Sequence, residues 1–84
     1  MSAGEVDGMA RLYGKLRGLM REYGDTQDDI ARVLLLSRVC VSNRMRGASD
    51  WRLSEMYALM DRYHVPHDRL HEVFPKGGRN EYMR

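Results

Sequence analysis

The sequence predicts an all-α fold, a compact bundle of five helices formed by one small domain. Apolar residues recur three and four positions apart along most of the chain, which is the spacing of one helix face. No segment alternates apolar and polar residues for long enough to indicate a strand, and the β-like triplet at residues 39–41 has helical flanks. A chain of 84 residues has room for a single hydrophobic core.

The first two helices are delimited by stop and capping residues. Apolar residues with helical spacing predict helix 1 over about residues 6–23, and Gly24 supplies the left-handed stop that often ends a helix. Thr26 lies three residues before Asp29, which is the spacing of an N-terminal capping box. Helix 2 is therefore predicted over about residues 27–34.

Helices 3 and 4 follow from the same kinds of signal. Ser37 is a good N-cap and Gly47 a good stop, so helix 3 is predicted over about residues 38–46. Either Ser49 or Asp50 is expected to begin helix 4. The apolar stripe of helix 4 comprises Leu53, Met56, Tyr57, Met60 and Tyr63.

A short helix 5 is predicted between two prolines. Pro66 is tolerated in the first turn of a helix, whereas Pro75 stops one. We assign residues 1–75 to the domain and expect residues 76–84 to be a C-terminal tail that is either disordered or dimer-forming. The apolar residues of helix 5 are Leu70, Val73 and Phe74.

The charges are distributed unevenly along the chain. The formal net charge is only +2, from 14 basic and 12 acidic residues, and on its own it indicates no partner. However, no acidic residue lies between Asp29 and Asp50, and arginine outnumbers lysine 12 to 2. Because a guanidinium can bind phosphate or guanine with two hydrogen bonds, this window is either a nucleic-acid-binding face or an ordinary solvated basic face. Its basic residues are Arg32, Arg38, Arg44 and Arg46.

Size and composition exclude several functional classes. The longest apolar run, residues 33–36, is far shorter than the roughly 20 residues of a membrane span, and no signal peptide is expected. Cys40, the only cysteine, fits a reducing cytoplasm and a packed side chain. His64, His67 and His71 lack the fourth ligand of a structural zinc site. With no recognisable catalytic motif, we expect a non-enzyme without metal, cofactor, small-molecule substrate or membrane partner.

Helices 2 and 3 carry the most specific signal. Two short helices separated by three or four residues, the second rich in arginine and short polar side chains, form the arrangement of a helix-turn-helix. The segments that match a known pattern are residues 26–31 (TQDDIA), 36–38 (LSR), 41–42 (VS) and Gly47. In their order and spacing they resemble the Cro and phage-repressor (XRE-type) DNA-binding domains over about two-thirds of the chain. The resemblance implies a lambda-repressor-like fold that binds double-stranded DNA.

The same spacing assigns an inner and an outer face to helix 3. Ala31 is small where helices 2 and 3 must cross, and Val41 and Met45 point inward. The outer face can enter a major groove, where arginine pairs with guanine, asparagine pairs with adenine and valine contacts a thymine methyl group. The candidates for reading bases are Arg38, Val39, Ser42 and Asn43.

A second group of residues is expected to contact the DNA backbone. Gln27 matches a phosphate-contacting glutamine of the family, although Asp28 and Asp29 beside it oppose such a contact electrostatically. The candidates for phosphate contacts are Gln27, Ser37, Arg44, Arg46 and Ser49.

Three positions depart from the family pattern. Leu35 stands where the turn usually has glycine, and a branched side chain there costs roughly 1–2 kcal/mol if the backbone is left-handed. Met45 and Met20 stand where the family commonly has a buried glutamate and its arginine, so both halves of an ion pair are replaced together. Arg44 stands where an apolar residue is usual.

These observations predict a sequence-specific transcriptional regulator, a repressor of phage or prophage type in the cytoplasm of a bacterial or phage-infected cell. One recognition helix buries too little surface for strong specificity, so a homodimer on a palindromic operator is expected. The alternative is a helical protein-interaction module, antitoxin-like or a phage-encoded inhibitor, that applies Arg38, Arg44 and Arg46 to an acidic protein. The expected dimer-forming residues are Leu70, Val73, Phe74, Tyr82 and Met83.

Overall fold

The computed structural model describes residues 12–79, and this part of the chain is helical without a strand. The all-α prediction is therefore confirmed. None of the helices between residues 12 and 79 is long and apolar enough to cross a membrane. The helices are α1 (Gly14–Tyr23), α2 (Gln27–Leu34), α3 (Arg38–Met45), α4 (Leu53–Arg62) and α5 (Leu70–Val73), with 3-10 turns at His67–Arg69 and Lys76–Gly78.

Side-chain caps fix the starts of α2 and α3, as the sequence predicts. The Thr26 hydroxyl accepts a hydrogen bond from the Asp29 backbone N–H at 3.2 Å, and the Asp29 carboxylate accepts one from the Thr26 N–H at 2.8 Å. The Ser37 hydroxyl accepts a hydrogen bond from the Cys40 N–H at 3.1 Å. These bonds satisfy amide groups that the first turn of a helix leaves without intrahelical partners.

The first helix and the C-terminal tail differ from the prediction. Tyr13 has a left-handed backbone (φ 57°), so α1 begins at Gly14; residues 6–11 of the predicted helix lie outside the described range. The Tyr13 N–H donates to the Gly78 carbonyl at 2.8 Å. Gly78 is buried, and a Cβ atom there would lie 2.9 Å from the Tyr13 ring. The packed part of the chain thus extends past residue 75.

Helix α4 begins later than predicted. Neither Ser49 nor Asp50 caps it; the N-cap is Arg52, whose backbone N–H donates to the Glu55 carboxylate at 3.0 Å. This start turns the helix so that Leu59 is fully buried, whereas Leu53 is 53% exposed. Among the other predicted stripe residues, Met60 and Tyr63 are buried, Met56 is half-buried and Tyr57 is exposed.

The hydrophobic core draws on every helix. Each of the five α-helices contributes at least one side chain that is almost completely buried. Three aromatic rings close one end of this core: the centroid of the Trp51 ring lies 6.2 Å from that of Tyr13 and 5.4 Å from that of Phe74. The fully buried side chains are Leu16, Ile30, Val41, Met45, Leu59, Met60 and Val73.

The connection between α2 and α3 turns at Leu35. This residue has a left-handed backbone (φ 59°) and its side chain is 90% exposed. The next amide, Leu36 N–H, donates back to the Ala31 carbonyl at 2.9 Å and ends α2. A leucine in this conformation is strained. Because its side chain is exposed, packing contacts offset little of this strain.

Replacing Leu35 by glycine should therefore stabilise the protein. Relief of the left-handed strain outweighs the greater flexibility of glycine in the unfolded chain, and we expect the free energy of unfolding to rise by about 0.5–1 kcal/mol in urea titrations. The control is Leu35→Ala, which keeps the Cβ atom and should not reproduce the gain. Equal gains in both variants would show that exposure of leucine, and not backbone strain, is the cause.

A second contact joins the α1–α2 loop to the end of α4. The Asp25 carboxylate accepts two hydrogen bonds from Arg62, at 2.7 and 2.8 Å, and one from the Tyr63 hydroxyl at 2.6 Å. The Asp25 side chain is only 6% exposed. The hydrogen bonds from Arg62 hold the pKa of Asp25 below its ordinary value of 3.8, against the opposing effect of burial.

Because of this lowered pKa, the free energy of unfolding should depend on pH in the acid range. The stabilising contribution of Asp25 is present above its unfolded-state pKa and is lost as the pH falls through the lower folded-state value. We expect Asp25→Asn to lower the free energy of unfolding by about 1–3 kcal/mol at neutral pH, a difference that shrinks below the ordinary value of 3.8. Urea titrations across this pH range measure it. Tyr63→Phe, which removes one donor, should cost less and keep the pH dependence; a constant difference for Asp25→Asn would contradict the assignment.

Candidate nucleic-acid interface

The candidate interface is built on the contact between α2 and α3, the most extensive helix pairing among the described residues. Ala31 of α2 is 7% exposed, and its small side chain allows the two helices to approach closely. Val41 and Met45 form the inner face of α3, as predicted, and are almost fully buried. The opposite face of α3 is therefore directed away from the core.

The four predicted base readers differ in their exposure to solvent. Val39 is 68% exposed and the Arg38 side chain 72% exposed, whereas Ser42 and Asn43 are half-buried. Arg38 already has a partner, because its Nε lies 3.4 Å from a carboxylate oxygen of Asp28. The outer face thus presents one arginine and one apolar side chain most prominently.

The predicted phosphate contacts lie at both ends of α3 and at the start of α2. Ser37 is exposed at the N-cap of α3. Arg46 and Ser49 are exposed in the loop after α3, and Arg46 Nη2 donates to the Asn43 side-chain oxygen at 2.8 Å. Gln27, at the first position of α2, is half-buried. Four of the five predicted residues therefore keep polar groups near the surface.

Arg44 is the exception, and its expected phosphate contact is corrected by the structure. Its side chain is only 11% exposed and points toward α4. There Nε donates to one carboxylate oxygen of Glu55 at 2.8 Å and Nη2 donates to the other at 3.2 Å. Arg44 also donates to the Cys40 carbonyl at 3.5 Å. The guanidinium is hydrogen-bonded within the molecule and is not available for a contact at the outer face.

The Arg44–Glu55 pair fixes the orientation of α3 against α4. A two-point contact between planar groups restricts rotation of a helix about its axis more than a single hydrogen bond does. The C-terminal end of α3 has a further contact, because Arg17 donates to the Met45 carbonyl at 3.2 Å as well as to the Leu12 carbonyl at 2.8 Å. A cation at this end also complements the helix dipole.

One residue of the candidate interface and the ion-pair partner of another were missed by the sequence analysis. Arg52 is exposed beside the loop that carries Arg46 and Ser49, and it has no ion pair among residues 12–79. It follows Asp50 and so lies outside the acid-free window, although its position next to a loop and a helix start was a usable signal. The sequence indicates Asp28 only as an electrostatic obstacle, because its pairing with Arg38 depends on how α2 and α3 cross in space.

The predicted dimer-forming residues are largely used within the chain. Val73 is 1% exposed and Phe74 is 7% exposed, because both pack into the core beside α4 and the aromatic cluster. The structure places these two residues in the core of the chain, whereas the sequence predicted them at a dimer contact. Leu70 is half-buried and packs against the same core. Tyr82 and Met83 lie outside the described residues.

Other reactive side chains have structural partners. His67 Nε2 lies 2.7 Å from an Asp61 oxygen, and its ring stacks on Tyr57 with centroids 4.5 Å apart. No group of three or more potential metal ligands occurs within residues 12–79. Cys40 is half-buried, and its contact with the Ser37 side chain lowers its thiol pKa.

Comparison with protein-family models, curated proteins and solved structures found no match for this chain.

Removing Glu55 should strongly destabilise the fold. Glu55→Ala leaves the Arg44 guanidinium buried without its counter-charge, and we expect the free energy of unfolding to fall by about 3–5 kcal/mol in urea titrations. The matched control is the double variant Arg44→Met with Glu55→Leu, which replaces the pair by apolar groups and should recover most of the loss. A cost below about 1 kcal/mol for Glu55→Ala would contradict a buried, paired arrangement.

Proposed function

We propose that this protein is a sequence-specific DNA-binding transcriptional regulator in which α2 and α3 act as a helix-turn-helix. The observation that carries the proposal is the two-sidedness of α3. Its inner face is fixed by Val41, Met45 and the Arg44–Glu55 pair, whereas its outer face offers Arg38 and Val39 to solvent. A short helix held rigidly with exposed polar and apolar groups is the element that such regulators insert into a major groove.

Base recognition is assigned to the outer face of α3. The exposed guanidinium of Arg38 has the reach and shape to bind guanine O6 and N7, and Val39 can contact a thymine methyl group. Ser42 and Asn43 lie one turn further along the helix and can read an adjacent base. Asn43 must share its side-chain oxygen with Arg46, so its amide NH₂ group is the part left for a base acceptor.

Backbone contacts are assigned to the residues that surround α3. Ser37 and Gln27 lie at helix starts, where amide groups and hydroxyls suit a phosphate oxygen. Arg46, Ser49 and Arg52 form a second group after α3, and the charge of the two arginines attracts any DNA sequence equally. Arg44 has no part in this set because it is paired with Glu55.

A homodimer on a palindromic operator is part of the proposal. One helix in one groove buries too little surface for strong specificity, and two copies would read half-sites about 34 Å apart. Of the apolar residues assigned to the dimer, Leu70 keeps partial exposure, and Tyr82 and Met83 complete the set. Regulation by occupancy of an operator, as a repressor of phage or prophage type does, requires nothing more than this binding.

A second candidate function is binding to an acidic protein surface. The specific observation in its favour is the Arg38–Asp28 pair, since the outer face already accommodates a carboxylate. A helical interaction module, antitoxin-like or a phage-encoded inhibitor, would use Arg38 and Arg46 in this way.

Titration of labelled random duplex DNA separates the two functions. A DNA-binding protein that makes three or four phosphate contacts should lose affinity about 40- to 150-fold when the salt concentration rises from about 50 to 200 mM. Fluorescence anisotropy measures this loss directly. Absence of detectable binding at the lower salt concentration would reject DNA binding and favour the protein-interaction module.

Two arginine variants test the assigned roles. With an operator selected from a random DNA pool, Arg38→Ala should cost about 10- to 100-fold in affinity for the operator and reduce sequence preference, because a base contact is lost. Arg46→Ala should weaken binding to the operator and to random DNA by similar factors. The control is Arg69→Ala, which removes an arginine from the 3-10 turn before α5. It should change neither the affinity for the operator nor the affinity for random DNA. Similar behaviour of the first two variants would refute the division of roles.

A further inference from the structure

The outer face of α2 and α3 contains an acidic residue whose role is not explained by the fold. The first turn of α2 carries Asp28 and Asp29. Asp29 is part of the local structure, because it caps the helix through Thr26 and forms an ion pair with Arg32. Asp28 has no such structural role. It is exposed, and it forms an ion pair with Arg38 on α3.

This cross-helix pair is poorly suited to holding the helices together. The side chains of Asp28 and Arg38 are 52% and 72% exposed, and the Nε–Oδ1 distance is 3.4 Å. Exposed pairs of this kind contribute little to stability and are screened by salt. Buried contacts around Ala31 and Val41 already join the two helices. The pair therefore affects the position of the Arg38 side chain more than it affects the stability of the fold.

We propose that Asp28 is a specificity-determining residue that holds Arg38 for base recognition and opposes its use on the DNA backbone. This inference rests on the proposed DNA-binding function. Asp28 lies on the Nε side of the guanidinium, which leaves the terminal nitrogens for the paired acceptors of guanine. A free arginine would instead move to the nearest phosphate, a contact that carries no sequence information.

The negative charge of Asp28 acts in the same direction. At the start of α2 it lies beside Gln27, where a phosphate is expected, and it repels that phosphate. Repulsion alone weakens complexes with every sequence alike. It favours the operator only through Arg38, which Asp28 keeps from a phosphate on random DNA and leaves available for guanine at the operator. Specificity is a difference between two affinities, and an element that weakens the wrong complexes raises it.

The experiment compares wild-type protein with Asp28→Asn, which keeps the shape of the side chain and removes its charge. Affinities are measured by anisotropy for random duplex DNA and for an operator selected by the wild-type protein. We expect random-DNA affinity to rise about 3- to 10-fold and operator affinity to change less, so that their ratio falls. The salt dependence for random DNA should become steeper by about 0.9 in the log–log slope, because Arg38 gains a phosphate.

Three controls make the result decisive. Asp68→Asn makes the same charge change in the 3-10 turn before α5 and should leave the operator-to-random ratio unchanged. In an Arg38→Ala background, Asp28→Asn should no longer steepen the salt dependence, because the arginine it would release is absent. Asp28→Ser is a second neutral variant, and thermal unfolding verifies that each protein is folded.

The outcomes separate this inference from the function on which it rests. If wild-type protein binds no DNA, the proposed function fails. If wild-type protein binds DNA and Asp28→Asn behaves like Asp68→Asn, the function stands and the role of Asp28 is overturned. A fall in the ratio that persists unchanged in the Arg38→Ala background would also overturn it, because the effect would not pass through Arg38.

Discussion

The buried ion pair between Arg44 and Glu55 is the constraint on which the rest of the structure depends. Taking two charges out of water is costly, and the cost is offset only when both groups are fully hydrogen-bonded. Here two bonds at 2.8 and 3.2 Å join the guanidinium to the carboxylate, which also receives the N–H that begins α4. One carboxylate therefore determines both the rotation of α3 and the start of α4. Because this contact holds one side of α3 against α4, it also determines which side of α3 faces the solvent.

The same pairing changes the meaning of the charge distribution. In sequence, four arginines lie in a window without acids, which suggests an unopposed basic face. In space, Arg32, Arg38 and Arg44 are each paired with a carboxylate that lies outside the window. Of the four arginines in the window, only Arg46 in the loop after α3 has no ion pair among residues 12–79, and the exposed Arg52 lies next to this loop. A linear count of charges therefore overstates the basicity of the surface and misses where it is concentrated.

The parts of the fold that follow from local chemistry were predictable. The caps at Thr26 and Ser37 depend on residues three positions apart, so the sequence alone locates them. The partner of Arg44 lies eleven residues away and the partner of Tyr13 lies near the other end of the described chain, and no local signal specifies either contact. Val73 and Phe74 illustrate the same limit, because periodicity identifies an apolar face without showing whether it packs within the chain or against a second copy.

The contact between Tyr13 and Gly78 has a consequence for the order of folding. Helices α2 and α3 are close in sequence, so little chain entropy is lost when they meet, whereas the Tyr13–Gly78 hydrogen bond closes a loop that contains nearly the whole described chain. Contacts of such long range form late, after local ones have reduced the freedom of the intervening segments. We therefore expect the α2–α3 pair to assemble before the ends are joined. Separation of Tyr13 from Gly78 should then be the lowest-energy opening within residues 12–79 and leave the outer face of α3 intact.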